Sequence, residues 1–160
     1  MRTILGLFAL LFIAAIGIML FQNYSKNNPS LFTNILAKKP TAIIGKQTFN
    51  ITVAKSQKEK EIGLSSKKSL LQNEGMIFPF EKEDYYTFWM KDMKFPIDMI
   101  FLKKNKVVTI FSDVKPPKSE NENLIIFRPE EPSDTVLELN AGIAKKYNLK
   151  KGDEIKFENL

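Results

Sequence analysis

Two carboxylates in this chain stand where a carboxylate is costly. Asp98 lies in Ile97-Asp98-Met99-Ile100-Phe101, and Glu138 lies in Val136-Leu137-Glu138-Leu139. Both stretches read as strands apolar on either face, so each acid must be paired or hydrogen-bonded to be tolerated there. Lys91, between Met90 and Asp92, is the natural cation for them, and Trp89, the only Trp of the chain, stands two residues away. The expectation is a polar cluster in which Asp98, Glu138 and Lys91 converge beside Trp89, with the aromatic and acidic edge at Tyr85 and Tyr86 as its outer surface. Two carboxylates can act as acid and base, as in glycoside hydrolysis, with a lysine stabilising an anion. The plainer reading is that the cluster bonds loop backbone and fixes strand register. Trp89 is likewise more often a core residue than a binding platform.

What is missing narrows the chemistry. The 160 residues hold no Cys and no His. Disulfides, thiolate nucleophiles and Cys-ligated metals are excluded, as are Ser-His and Cys-His arrangements and most transition-metal sites. A metal would have to be a hard ion on oxygen ligands. No ligand spacing for one is present, so no metal site is assigned. No Gly-rich phosphate loop or Ser-nucleophile motif appears either, and no cofactor is expected.

These residues need elements to position them. Phe49, Ile51 and Val53 alternate with polar residues after a Gly45-Lys46 turn, which predicts a hairpin of Thr41–Ile44 with residues 47–54. Ser56-x-x-Glu59 is a capping box for a helix that Gly63 ends. Pro79 marks the strand at 75–80 as an edge or a bulge. Glu81–Asp84 reads as a turn. The aromatic and β-branched content of 85–91 predicts a strand. Further strands are expected at 99–103 and 107–111, joined by a polar turn at Lys104-Asn105-Lys106, and at 124–127, 135–139 and 154–157, with a helix capped by Asn140 running through Tyr147. Gly75 and Gly142 are read as positions of special backbone geometry. The whole predicts a mainly-β domain over 41–160, a compact antiparallel β-sandwich or barrel-like fold with two or three short helices.

Ahead of it, Ile4 to Phe21 is an unbroken run of 18 apolar or Gly residues, about 27 Å long as a helix. It is too long for a signal peptide and lacks a convincing small-x-small cleavage site, so residues 1–21 read as an uncleaved transmembrane signal-anchor. Residues 22–40 read as a basic juxtamembrane linker. A short helix there would start at Asn28-Pro29 and gather Leu31, Phe32, Ile35 and Leu36 on one face. Residues 22–68 carry a net charge of +7 and residues 69–160 carry −2. The basic excess thus adjoins the apolar run, which suits anionic lipid headgroups and does not suggest a nucleic-acid partner. The expected location is a single-pass membrane protein whose domain lies outside the cytoplasm.

Five motifs in order, EIGL at 61–64, GMIFPF at 75–80, FWMKDM at 88–93, PIDMIFL at 96–102 and VLELNAG at 136–142, with a closing KKGDEI, resemble the domain of unknown function family 192. The resemblance covers about residues 49–158. It implies a compact mainly-β fold and a bacterial or archaeal protein that often sits behind a secretion signal or anchor. It implies no activity. Asp92-Met93 stand where the family often has Asn-Thr, and no Cys follows the proline near Pro116.

The function expected from the sequence is an extracytoplasmic, membrane-anchored module that binds a small molecule, a glycan or an envelope protein. Its candidate binding residues are Tyr86, Trp89, Lys91, Asp98 and Glu138. The alternative is a carboxylate-dependent hydrolase of the cell envelope using Asp98 and Glu138, and a third reading is an assembly factor for an envelope complex.

Overall fold

The computed structural model describes residues 2–28, 38–119 and 123–160, with side chains in the N-terminal helix described at residue 6 and from residue 11 onward. The chain divides into two units, residues 1–38 and 39–160. In the first, helix α1 covers Arg2–Asn27 and so runs six residues past Phe21. Among the described residues no helix is long and apolar enough to cross a membrane. The expected spanning helix therefore has no support from the fold. The short helix expected around Leu31–Leu36 lies outside the described residues.

The second unit is mainly β with a few short helices, as expected. Its elements are β1 (Thr41–Ile44), β2 (Gln47–Val53), α2 (Gln57–Ile62), a 3-10 turn (Gly63–Ser66), β3 (Glu74–Asp84), β4 (Ile97–Lys103), β5 (Lys106–Val114), β6 (Ser133–Asn140), α3 (Ile143–Lys146) and β7 (Lys156–Glu158). The strands form one seven-stranded sheet in the order β5-β4-β6-β3-β2-β1-β7, curled as a half-barrel. This corrects the sandwich: there is one sheet, and it is mixed. β2 and β3 run parallel, with Ile51 opposite Gly75. A parallel pair needs a crossover, and here residues 54–73 supply it. The chain ahead of β7 returns to β5, where Lys106 and Glu154 form a bridge and Ile155 N–H donates to Asn105 O at 2.9 Å.

Alternation along the strands sorts the core into two layers. Ile77, Ile100, Leu102, Leu137 and Leu139 face one way, with Phe49, Ile143 and Ile155. Met76, Phe78, Met99, Phe101 and Val136 face the other, under Ala54, Leu64 and Leu70 of the crossover. Phe49, Phe78 and Phe101 are each 1% exposed or less, and a fully buried ring of this kind stabilises the fold by roughly 1.5–3 kcal/mol.

Local signals and non-local ones fare differently. The capping box forms in full: Glu59 N–H donates to Ser56 Oγ, and Glu59 Oε2 accepts from Ser56 N–H at 2.7 Å. Lys104 and Asn105, both at positive φ, make the β4–β5 turn. Pro79 sits at a bulge against β6, inside the sheet and not at an edge. Residues 81–84, three of them acidic, continue β3 where a turn was expected. Residues 85–91 and 124–127 are not strands. They pair through a bridge between Phe88 and Phe127, whose N–H and C=O groups exchange two bonds. Asn140 does not cap the last helix. Its amide donates to Leu70 O and Leu71 O, and Gly142, at φ 86°, occupies the cap position.

Candidate functional site

The register of β4 against β6 decides where the two carboxylates go. Asp98 stands opposite Leu139, and Glu138 stands opposite Met99. Directly opposed residues share a face. Asp98 therefore points with Leu139 and Ile100, and Glu138 points with Met99 and Met76. The expected convergence of Asp98, Glu138 and Lys91 does not occur, because one residue of register separates the acids onto opposite faces of the sheet.

Asp98, fully buried, is saturated. Its Oδ1 accepts from Asp113 N–H at 2.7 Å and Gly142 N–H at 3.1 Å, and its Oδ2 accepts from Ala144 N–H at 2.7 Å. Asp113 is at φ 53°, in the irregular end of β5, and Gly142 and Ala144 open α3. The carboxylate ties those two segments to β4. Each charge-assisted bond of this type contributes on the order of 1.5–3 kcal/mol. With those three donors on it, Asp98 holds backbone together on the face of the sheet away from Glu138.

Glu138 is 5% exposed, and among the described residues its carboxyl has no hydrogen-bond or ion-pair partner. Burial pushes its pKa up to about 8, because an ionised carboxylate loses its hydration there with nothing in return. The carboxyl reaches the base of a cleft of about 380 Å³. The cleft also gathers three other residues singled out from the sequence, Tyr86, Trp89 and Lys91.

The walls come from three places. β3 contributes Phe78 and Phe80. The crossover contributes Lys60, Glu61 and Leu64. The connection between β3 and β4, residues 85–96, contributes Tyr86, Phe88, Trp89 and Lys91. Phe88 packs edge-on against Phe78 at 5.1 Å and Phe101 at 5.7 Å, which anchors that connection to the sheet. Tyr86 stacks on Phe80 at 3.6 Å, and its hydroxyl donates to Lys82 O. Desolvation, with Asp84 and Glu81 nearby, raises the pKa of that hydroxyl. Lys60 crosses the wall, its Nζ donating to Pro79 O at 2.5 Å while lying 4.3 Å from the centre of the Phe80 ring. Trp89 is 48% exposed at the mouth, so it is not a core residue.

Lys60, Glu61, Phe78, Phe80 and Phe88 were not singled out from the sequence. Motifs carry some of them, yet only the crossover brings α2 over Glu138, and strand pairing is not written locally. Among the described residues no group of three carboxylates is placed to hold a metal ion. Chemically the cleft offers aromatic side chains, one carboxyl at its base, and the polar side chains of Gln57, Lys60, Glu61, Ser65, Thr87 and Lys91 around it.

Comparison with known proteins agrees with the fold. No curated protein matches the chain. It is similar to a crystal structure of a protein of unknown function from Novosphingobium aromaticivorans DSM 12444, at 30% identity and a TM-score of 0.63, covering 73% of this chain and 83% of that one. It is also similar to a Sinorhizobium meliloti 1021 protein provisionally described as a transcription regulator, at 27% identity and a TM-score of 0.64, covering 76% of this chain and 93% of that one. The profile of DUF192, described as "Uncharacterized ACR", matches residues 40–157, all of the sheet but the last residue of β7, with its crossover and its cleft. The chain belongs to that family.

Proposed function

We propose that residues 39–160 form a non-enzymatic binding module for a small organic ligand, held at a membrane by residues 4–21 and facing away from the cytoplasm. One observation carries the binding reading. A nearly buried carboxyl with no hydrogen-bond partner among the described residues, its oxygens open to the cleft, lies at the base of a cleft that also collects Tyr86, Trp89 and Lys91. An unpaired buried acid lowers stability, and a ligand that reaches it recovers that loss. Apolar walls with a few convergent polar groups and a perturbed pKa are the ordinary features of a ligand site.

The hydrolase alternative loses its second carboxylate. Asp98 is saturated and faces away from Glu138. The membrane part rests on the 18-residue apolar run and on the basic excess that follows it.

Trp89 supplies the test, because it is the only Trp and it lines the cleft. The full chain in a polyoxyethylene detergent is titrated with sugars, cell-wall fragments, nucleotides, small acids and small amines while Trp89 emission is followed. A saturable change that disappears in Glu138→Gln is the expected result. If no compound moves the emission of the folded protein, the binding reading fails. Protease added to spheroplasts of an expressing bacterium digests the domain if it faces outward, and spares it if it faces the cytoplasm.

A further inference from the structure

Two charge-bearing side chains of the cleft, at its base and at its edge, are left without partners. Glu138 is one. Lys91, exposed at the edge, is the other, with no ion pair or hydrogen bond of its side chain among the described residues. The remaining charges of the lining are already bonded. Glu61 Oε1 accepts from Gln57 Nε2 at 3.0 Å, and Lys60 Nζ donates to Pro79 O. The rings are largely taken as well: Tyr86 and Lys60 both lie on Phe80, and Phe78 is 1% exposed. Trp89 is the ring that stands open.

Charge balance sets the sign of the ligand. The titratable groups facing the cleft are Lys60 and Glu61 from the crossover, Tyr86 and Lys91 from residues 85–96, and Glu138 from β6. The residues of β3 and β4 directly opposite Glu138 are Met76 and Met99, which carry no charge. A carboxyl buried there, without a cation beside it, keeps its proton at neutral pH. Two lysines then face one carboxylate, and the lining is positive by one. A cation is repelled by such a lining, and a dianion exceeds it. A monoanion balances it and meets two donors with no other partner, the Glu138 O–H and the Lys91 ammonium.

We propose that the cleft binds a small monocarboxylate, which accepts hydrogen bonds from the Glu138 O–H at the base and the Lys91 ammonium at the edge. This deepens the binding reading above and rests on it. Both bonds are charge-assisted, which makes them stronger than bonds between neutral groups. The apolar part of the ligand lies against Trp89. Binding needs the proton on Glu138, because an ionised Glu138 sets two carboxylates side by side. Glu138 titrates at about 8, so affinity is level below that value and falls by about tenfold per pH unit above it. The Tyr86 hydroxyl, whose pKa is raised, stays neutral through that change.

The experiment compares isovalerate, isovaleramide and isopentylamine, which share one branched skeleton and differ in charge. Trp89 fluorescence is followed on the full chain in a polyoxyethylene detergent. The expected result is isovalerate binding at least about tenfold tighter than the amide or the amine at about pH 7, and about tenfold weaker at about pH 9 than at pH 7. The uncharged amide controls for the effect of pH itself. Glu138→Gln puts a weaker amide donor in place of the acid, and the isovalerate response is lost at concentrations that saturate wild type. Lys91→Gln weakens isovalerate and leaves isovaleramide unchanged. Should Glu138→Gln not fold, Lys91→Gln and the wild-type pH profile decide. Equal affinity for isovalerate and the amide, tighter binding of the amine, or a preference for isovalerate that does not change with pH overturns the carboxylate inference and leaves the binding reading standing. Binding of none of the three, with a saturable response to a sugar, a nucleotide or phosphate, does the same. No response to any compound overturns both.

Discussion

Asp98 and Glu138 are buried carboxylates on adjacent strands, one register step apart, and they have opposite fates. Asp98 accepts three backbone N–H bonds and ties β4 to α3 and to the end of β5. Glu138 accepts none among the described residues and lies at the base of a cleft. The difference teaches that burial of an acid does not mark function. The count of its partners does. A carboxylate with three N–H donors stabilises the fold, while one without partners, open to a cleft, leaves its oxygens for a ligand.

Among the substitutions expected to destabilise, breaking the Asp98 side has the largest effect. Asp98→Ala removes the acceptor of three N–H groups, that of buried Ala144 and those of the exposed residues Asp113 and Gly142, and the expected loss is about 3 kcal/mol in urea unfolding. A loss below about 1 kcal/mol would mean that the three bonds contribute little. The same face is closely packed at Gly75. A Cβ there would meet Leu139 Cδ2 at 2.6 Å and Glu138 O at 2.8 Å. Since the second contact is backbone, Gly75→Ala is expected to cost about 1–3 kcal/mol by the same assay.

On the other side the sign reverses. The folded pKa of Glu138 is raised from 4.5 to about 8, so between those values the folded state holds a proton that the unfolded state has released. Stability therefore falls as pH rises through that window, by up to about 1.4 kcal/mol per unit, and the loss is complete above about 8. Glu138→Gln removes this dependence. It is expected to match wild type near pH 4.5 and to exceed it progressively toward pH 8, measured as the difference in urea midpoints. A variant less stable than wild type at pH 8 would mean that the carboxyl has a favourable partner. Trp89→Ala has the smallest effect. A half-exposed ring at the mouth contributes little to the core, and a change below about 1 kcal/mol is expected, together with loss of ligand binding by calorimetry.

Much of this contrast was legible in part. That both acids would be buried follows from their apolar neighbours, and both are. That they would lie apart does not follow from either stretch alone, since the shared face depends on which residue of β6 meets Asp98. Local devices read well: the Ser56–Glu59 capping box, the turn at Lys104 and Asn105, and the Gly45 hairpin each depend on a few adjacent residues. Non-local ones did not. Residues 85–91 have the composition of a strand, yet their rings pack onto the sheet face and do not pair, with Phe88 against Phe78 and Phe101. Aromatic content records burial, and a pleated ladder is only one way to achieve it. The parallel pairing of β2 with β3 was equally hidden, and with it the position of Lys60 and Glu61 over Glu138.

The most direct test of this contrast is a carbon-13 NMR titration of the Glu138 side-chain carboxyl, assigned by its absence in Glu138→Gln. An unpartnered, desolvated carboxyl titrates with a midpoint near 8. A midpoint near the ordinary 4.5 would mean that the group is solvated or paired, and the cleft would lose the feature that distinguishes it from Asp98's face of the sheet.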